Sequence, residues 1–114
     1  MRNETHGHRF TLEQATGRLP DGEGERFAEL LGRGTLRLLL YAPRGHDPQE
    51  PHEQDEVYVV ASGRGTFVHG DRREPFGPGD LLFVPAGMTH RFEDFTDDLA
   101  VWVVFYGPPG GEEG

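Results

Sequence analysis

Apolar residues in this chain come in short blocks separated by glycine, proline and acidic residues. Thr35 to Ala42, Val57 to Ala61, Gly65 to His69, Leu81 to Val84, Met88 to Phe92 and Leu99 to Tyr106 are such blocks. Turn signals close them: Gly63-Arg64-Gly65, Gly70-Asp71, Gly77-Pro78-Gly79-Asp80, Pro85-Ala86-Gly87 and Thr96-Asp97-Asp98. Short apolar runs rich in β-branched and aromatic residues, punctuated in this way, predict strands. Arg26 to Leu31 alternates weakly before a tight turn at Gly32-Arg33-Gly34, and a further segment follows Gly70-Asp71 as far as Phe76. Thr11 to Gly17 reads as a short helix with Thr11 as its cap and Gly17 as its stop. Roughly eight short strands at regular spacing predict an all-β sandwich or barrel, with a short N-terminal helical or extended segment. Residues 1–9 and 107–114 read as loose tails around a single domain.

Composition narrows the chemistry more than the fold. A chain of 114 residues makes one domain that buries roughly two-thirds of its unfolded surface. Its 17 glycines and 9 prolines suit many turns. A formal charge of −9, with no lysine at all, argues against nucleic acid or an anionic membrane as partner. No cysteine is present, so a metal would have to be held by nitrogen and oxygen. The polar N-terminus lacks an apolar signal core, and Leu99 to Tyr106 is far too short to cross a bilayer. The expectation is a cytoplasmic protein. His6-Gly7-His8 could bind metal but reads as part of the tail.

Two stretches carry candidate chemistry. In the first, the polar run holding Glu50, His52 and Glu56 feeds directly into Val57-Tyr58-Val59-Val60-Ala61. If Glu56 shares a face with Tyr58 and Val60, it points inward, where an unpaired carboxylate is costly. Glu50 and His52 share a face if the chain there is extended. The run is either a solvated acidic loop or part of a ligand cluster. In the second stretch, Pro85-Ala86-Gly87 forces a turn that sets His90 just inside the next strand, either as a rim histidine or as a ligand reaching from a facing strand.

Together the two stretches resemble the cupin family. Gly45, His52, Glu56 and Gly63 follow the first family pattern, and Gly79, Pro85, Gly87 and His90 match the spacing of the second. Glu50 stands where cupins usually place a first histidine, Gly45 lies one residue closer than the pattern asks, and Asp94 replaces the closing asparagine. The resemblance implies a double-stranded β-helix, the jelly-roll barrel. It also implies a divalent metal (iron, manganese, nickel or zinc) bound by His52, Glu56 and His90, with Glu50 as a fourth ligand.

The function implied is that of a metal-dependent enzyme, of dioxygenase, isomerase or decarboxylase type, acting on a small organic molecule inside the barrel. The alternative is a non-catalytic binding or sensing protein with a structural metal or none. Tyr58 and Phe92, two residues beyond Glu56 and His90, are candidates for the substrate pocket or else simple core aromatics. Val57 to Ala61 and Leu99 to Tyr106 are apolar on both faces, which predicts cover on both sides of a sheet. A homodimer would supply that cover, as could the N-terminal segment. The phase of Trp102 cannot be read from so uniform a run.

Overall fold

The computed structural model describes residues 8–113, so His6 lies outside the described residues. The described residues form one short helix, α1 (Leu12–Thr16), and eight strands: β1 (Phe27–Arg33), β2 (Leu36–Tyr41), β3 (Asp55–Ser62), β4 (Gly65–His69), β5 (Arg72–Phe76), β6 (Leu81–Val84), β7 (His90–Glu93) and β8 (Ala100–Tyr106). Thr11 caps α1 as expected, and Gln14 returns the bond to complete a capping box. Two sheets result, a five-stranded one in the order β1-β2-β8-β3-β6 and a three-stranded one in the order β5-β4-β7. All pairings are antiparallel. This is an all-β jelly roll.

Two turns fall slightly away from their expected places. β1 continues through Gly32 and Arg33, which pair with Arg37 and Leu36, so the chain reverses at Gly34 and Thr35 instead. Gly34 takes φ +59°, which costs glycine little. The block from Met88 starts its strand only at His90, because the Met88 N–H still bonds the Pro85 carbonyl at 3.2 Å.

Strand alternation builds the core between the sheets. Tyr58 and Val60 of β3, Phe67 of β4, Phe76 of β5, Phe92 of β7, and Val101, Val103 and Phe105 of β8 turn inward and are buried together. Tyr58 and Phe92 meet edge-on with ring centroids 5.1 Å apart, and Phe76 meets Phe92 in the same manner at 5.3 Å. Each buried aromatic of this kind contributes about 1.5–3 kcal/mol relative to exposure. Gly63, just after β3, lies against the chain entering β8: a Cβ there would sit 2.5 Å from the Leu99 Cα.

The outer face of the five-stranded sheet is also apolar. Ala15 of α1 packs there with Leu30, Leu40, Ala42 and Ala100, joined by Phe10, Leu12, Leu19 and Trp102. The N-terminal segment thus covers one end of this face, and Trp102 belongs to the outside. At the other end Leu81 and Phe83 of β6 stay exposed. After Tyr106, where a loose tail was expected, the chain is tied back: the Gly110 N–H bonds the Glu53 carbonyl at 2.7 Å, and the Glu112 N–H bonds Asp55 Oδ2 at 2.9 Å. No helix among the described residues is long and apolar enough to cross a membrane.

Candidate metal centre

His52, Glu56 and His90 come together from three parts of the chain, with one ligand atom of each lying within 4.8 Å of the others. Glu56 is the second residue of β3 and faces inward with Tyr58, as alternation requires. His90 opens β7 on the opposite sheet. His52 lies in the loop ahead of β3 and is held there by its backbone, since the Gly87 N–H donates to its carbonyl at 2.8 Å. That bond needs the sharp turn after Pro85, where Gly87 takes φ +82°. The second motif therefore positions a residue of the first.

The hydrogen bonds around His90 fix its tautomer. Its Nδ1 lies 2.9 Å from the Met88 carbonyl, which can only accept, so Nδ1 carries the proton. The Nε2 lone pair then faces Glu56 Oε1 at 3.3 Å, and neither atom has a hydrogen-bond partner among the described residues although both are buried. A lone pair opposite a carboxylate in a dry interior is repulsive unless a proton or a cation lies between them. Burial works against a charged His90, but Glu56 and the Met88 carbonyl outweigh it and raise its pKa. His52 shifts the other way, because burial disfavours its charged form and His90 adds to the effect. Two imidazole nitrogens and one carboxylate oxygen around a shared, unsatisfied centre fit a divalent first-row metal, and three such ligands leave positions free.

A cavity of about 270 Å³ opens beside this group. His52, Glu56 and Gln49 line it together with Leu39, Tyr41 and Phe105, and the exposed Arg37 and Phe27 lie on its solvent side. Arg37 is held in place by Glu29, at 3.0 Å, and by the Phe105 ring beneath it.

Of the four ligands expected from the sequence, three meet. Glu50 is exposed and stands outside the group. Strand pairing begins only at Asp55, and Pro48 and Pro51 break the loop before it, so two-residue alternation does not extend back to Glu50. Gln49 turns inward in its stead. Tyr58 and Phe92 are buried in the aromatic core and do not line the cavity beside the cluster.

Sequence reasoning missed Gln49 and Asp47. Asp47 is a buried carboxylate whose Oδ2 accepts from the Phe92 N–H and from Gln49 Nε2, both at 2.8 Å. Its Oδ1 accepts from the Tyr41 hydroxyl. Burial first, and then Asp47 itself, keep the Tyr41 hydroxyl protonated by raising its pKa. An acidic residue in a Gly/Pro-rich loop carries no periodicity, so only the fold reveals its burial. Asp94, where the family pattern has asparagine, takes φ +52°, a left-handed conformation that both residues tolerate.

The cupin domain profile matches residues 37–106, which include every residue of the cluster. The chain belongs to the cupin family. Among relatives of this cupin, the Streptomyces coelicolor protein named "Uncharacterized protein SCO3923" is 38% identical over 99 residues, covering 80% of this chain and 94% of that protein. An acireductone dioxygenase from Leishmania infantum is 36% identical over 70 residues, covering 56% of this chain and 20% of that enzyme. Among solved structures, a cupin 2 conserved barrel domain protein from Salinispora arenicola superposes with a TM-score of 0.67 at 20% identity, covering 91% of each chain. TT1209 from Thermus thermophilus gives 0.73 at 20% identity, covering 93% of this chain and all of its own. These two likenesses concern the fold.

Proposed function

We propose that this cupin is a metal-dependent enzyme of the oxygenase type, acting on a small organic molecule that enters the cavity beside His52, Glu56 and His90. The observation that carries this reading is the buried pair Glu56 Oε1 and His90 Nε2, both without a hydrogen-bond partner among the described residues, with Glu56 and His52 lining a cavity large enough for a small ligand. Two histidines and one carboxylate with open positions suit a non-haem iron oxygenase site, and manganese, nickel or zinc could be held by the same donors. The similarity of the segment to part of an acireductone dioxygenase agrees with this choice.

When bound, the ion would supply Lewis-acid or redox chemistry. The chain's own residues bind, orient and exclude water. Leu39, Val103 and Phe105 form an apolar wall, and the solvent side carries charges of both signs, Arg37 paired with Glu29 and the carboxylate of Glu25. A small acid or enol would enter past Arg37 and meet His52, Glu56 and Gln49 at the cavity wall. Tyr58 stays protonated, since burial and the nearby Glu56 hold its pKa well above the usual phenol range. It is therefore a donor and not a base.

The test is elemental analysis of protein purified without added metal, followed by oxygen uptake with ferrous iron and a panel of small organic acids and enols. Bound iron or manganese with substrate-dependent uptake supports the reading. Tightly held zinc with no turnover on any metal would favour the non-catalytic binding role.

The exposed Phe83 continues an apolar row through Val57 and Val104 to Leu38, and the exposed Leu81 one through Val59 and Trp102 to Leu40. We infer that a second copy of the chain covers this end of the sheet. Light scattering on the wild type and on Phe83→Glu checks it, the expected result being a dimer that the substitution dissociates.

A further inference from the structure

We propose that the side-chain oxygen of Gln49 is a fourth protein donor to the metal, aimed at it by Asp47, and that Glu50 takes no part. This rests on the metal centre proposed above and goes beyond it in the ligand set. The orientation of the Gln49 amide is decided by its neighbours. A carboxylate only accepts hydrogen bonds, so the Gln49 atom 2.8 Å from Asp47 Oδ2 has to be the nitrogen. That leaves Oε1 facing the cluster, 3.3 Å from His52 Nε2 and 3.0 Å from the Tyr58 hydroxyl.

The arrangement has the form of a ligand with its support. Asp47 is fixed in turn by the Phe92 N–H and the Tyr41 hydroxyl, which ties the loop to β7 two residues beyond His90. Tyr58 occupies one lone pair of Oε1, and the other meets His52 Nε2 at 3.3 Å, a contact that coordination of one ion by both atoms would replace. Outer partners that fix a ligand's rotamer in this way commonly alter metal affinity about 10- to 100-fold when removed.

The consequence is a change in charge. With Glu50 as fourth ligand, two carboxylates would neutralise a divalent ion. With the neutral amide of Gln49, Glu56 contributes the only negative charge, and the centre keeps a net positive charge of one. An anionic substrate oxygen would then be attracted by the centre itself, whereas a centre with two carboxylate ligands would be neutral and would not attract it.

The experiment uses Mn²⁺ alone as probe, with affinity measured by electron paramagnetic resonance titration. Alongside it, electron–nuclear double resonance is recorded on wild-type protein carrying ¹³C at the glutamine Cδ. Gln54 donates to the Thr35 and Gly107 carbonyls outside the cluster, and Gln14 serves the α1 cap, so a strong ¹³C coupling reports Gln49. The expected results are that coupling in the wild type, an affinity about 10- to 100-fold weaker in Gln49→Leu, and unchanged affinity in Glu50→Ala. Tight Mn²⁺ binding without the ¹³C coupling overturns the proposal even if Gln49→Leu binds weakly, because Gln49 would then act only by orienting His52. A loss of affinity in Glu50→Ala also overturns it. Failure of the wild type to bind Mn²⁺, with His52→Ala and His90→Ala no different, removes the metal centre itself and is thereby distinguishable. The labelled wild type needs no substitution, so a variant that misfolds does not weaken the test.

Discussion

On β3, Glu56 and Tyr58 lie two positions apart, and on β7 so do His90 and Phe92. All four side chains point between the sheets, and all four are essentially inaccessible to solvent. In the deeper layer the aromatics pack against Phe67 and Phe76 with ordinary ring-to-ring geometry. In the layer nearer the cavity, a carboxylate and an imidazole face each other with no hydrogen bond to either facing atom. The two layers have the same backbone and the same burial, so the fold cannot be what makes them differ. One layer stabilises the barrel, and the other carries a local cost that a bound cation would offset.

That contrast can be broken most sharply in the aromatic layer. Phe92→Ala should cost about 3–5 kcal/mol by chemical denaturation, with the gain in stability on adding metal unchanged. In the cavity layer the effect should depend on metal. Wild-type protein with free Mn²⁺ at a hundredfold excess over its dissociation constant should gain about 2.7 kcal/mol, and His90→Ala should gain none, as read from paired melting curves. Smaller still is the effect of Glu56→Gln on metal-free protein. Its amide can donate to His90 Nε2, so the variant should be more stable than wild type by about 1 kcal/mol while losing Mn²⁺ affinity. Equal or lower stability of that variant without metal would mean the Glu56–His90 contact is not the source of strain.

The smallest effect is expected on the outward side of β7. Glu93 accepts from Arg73 at 2.6 Å and from Arg91 at 2.5 Å, and these bonds, Arg73's foremost, hold its pKa below the usual glutamate range. A carboxylate with a depressed folded-state pKa contributes stability above its unfolded pKa, about 4.3, and loses it as pH falls through the lower folded value. Glu93→Gln should therefore be slightly less stable at neutral pH and should unfold less steeply on acidification. Added salt should shrink the difference, because both arginines are solvent-exposed.

The strands were legible because their signal is local. Gly65 to His69 and Leu81 to Val84 were bounded to the residue by their turns, and the inward phase of Glu56 followed from the apolar neighbours two and four positions on. His90 was legible because Pro85-Ala86-Gly87 fixes its distance from the turn. Glu50 was not, since the two-residue rule used to place it holds only in paired strand and the pairing starts at Asp55. Asp47 and Gln49 carried no pattern at all. They lie in a proline-broken loop where neither alternation nor helical period tells inside from outside.

By itself, then, the amino-acid order indicated roughly eight short strands through periodicity and turn signals, put Glu56 and His90 forward as candidates for the interior, and implied the cupin fold through the resemblance of its two motifs. What only the tertiary structure decided is which of Gln49 and Glu50 looks into the centre. That choice depends on the carboxylate of Asp47 reaching the backbone of β7, a contact between residues 45 positions apart that no local rule along the chain anticipates.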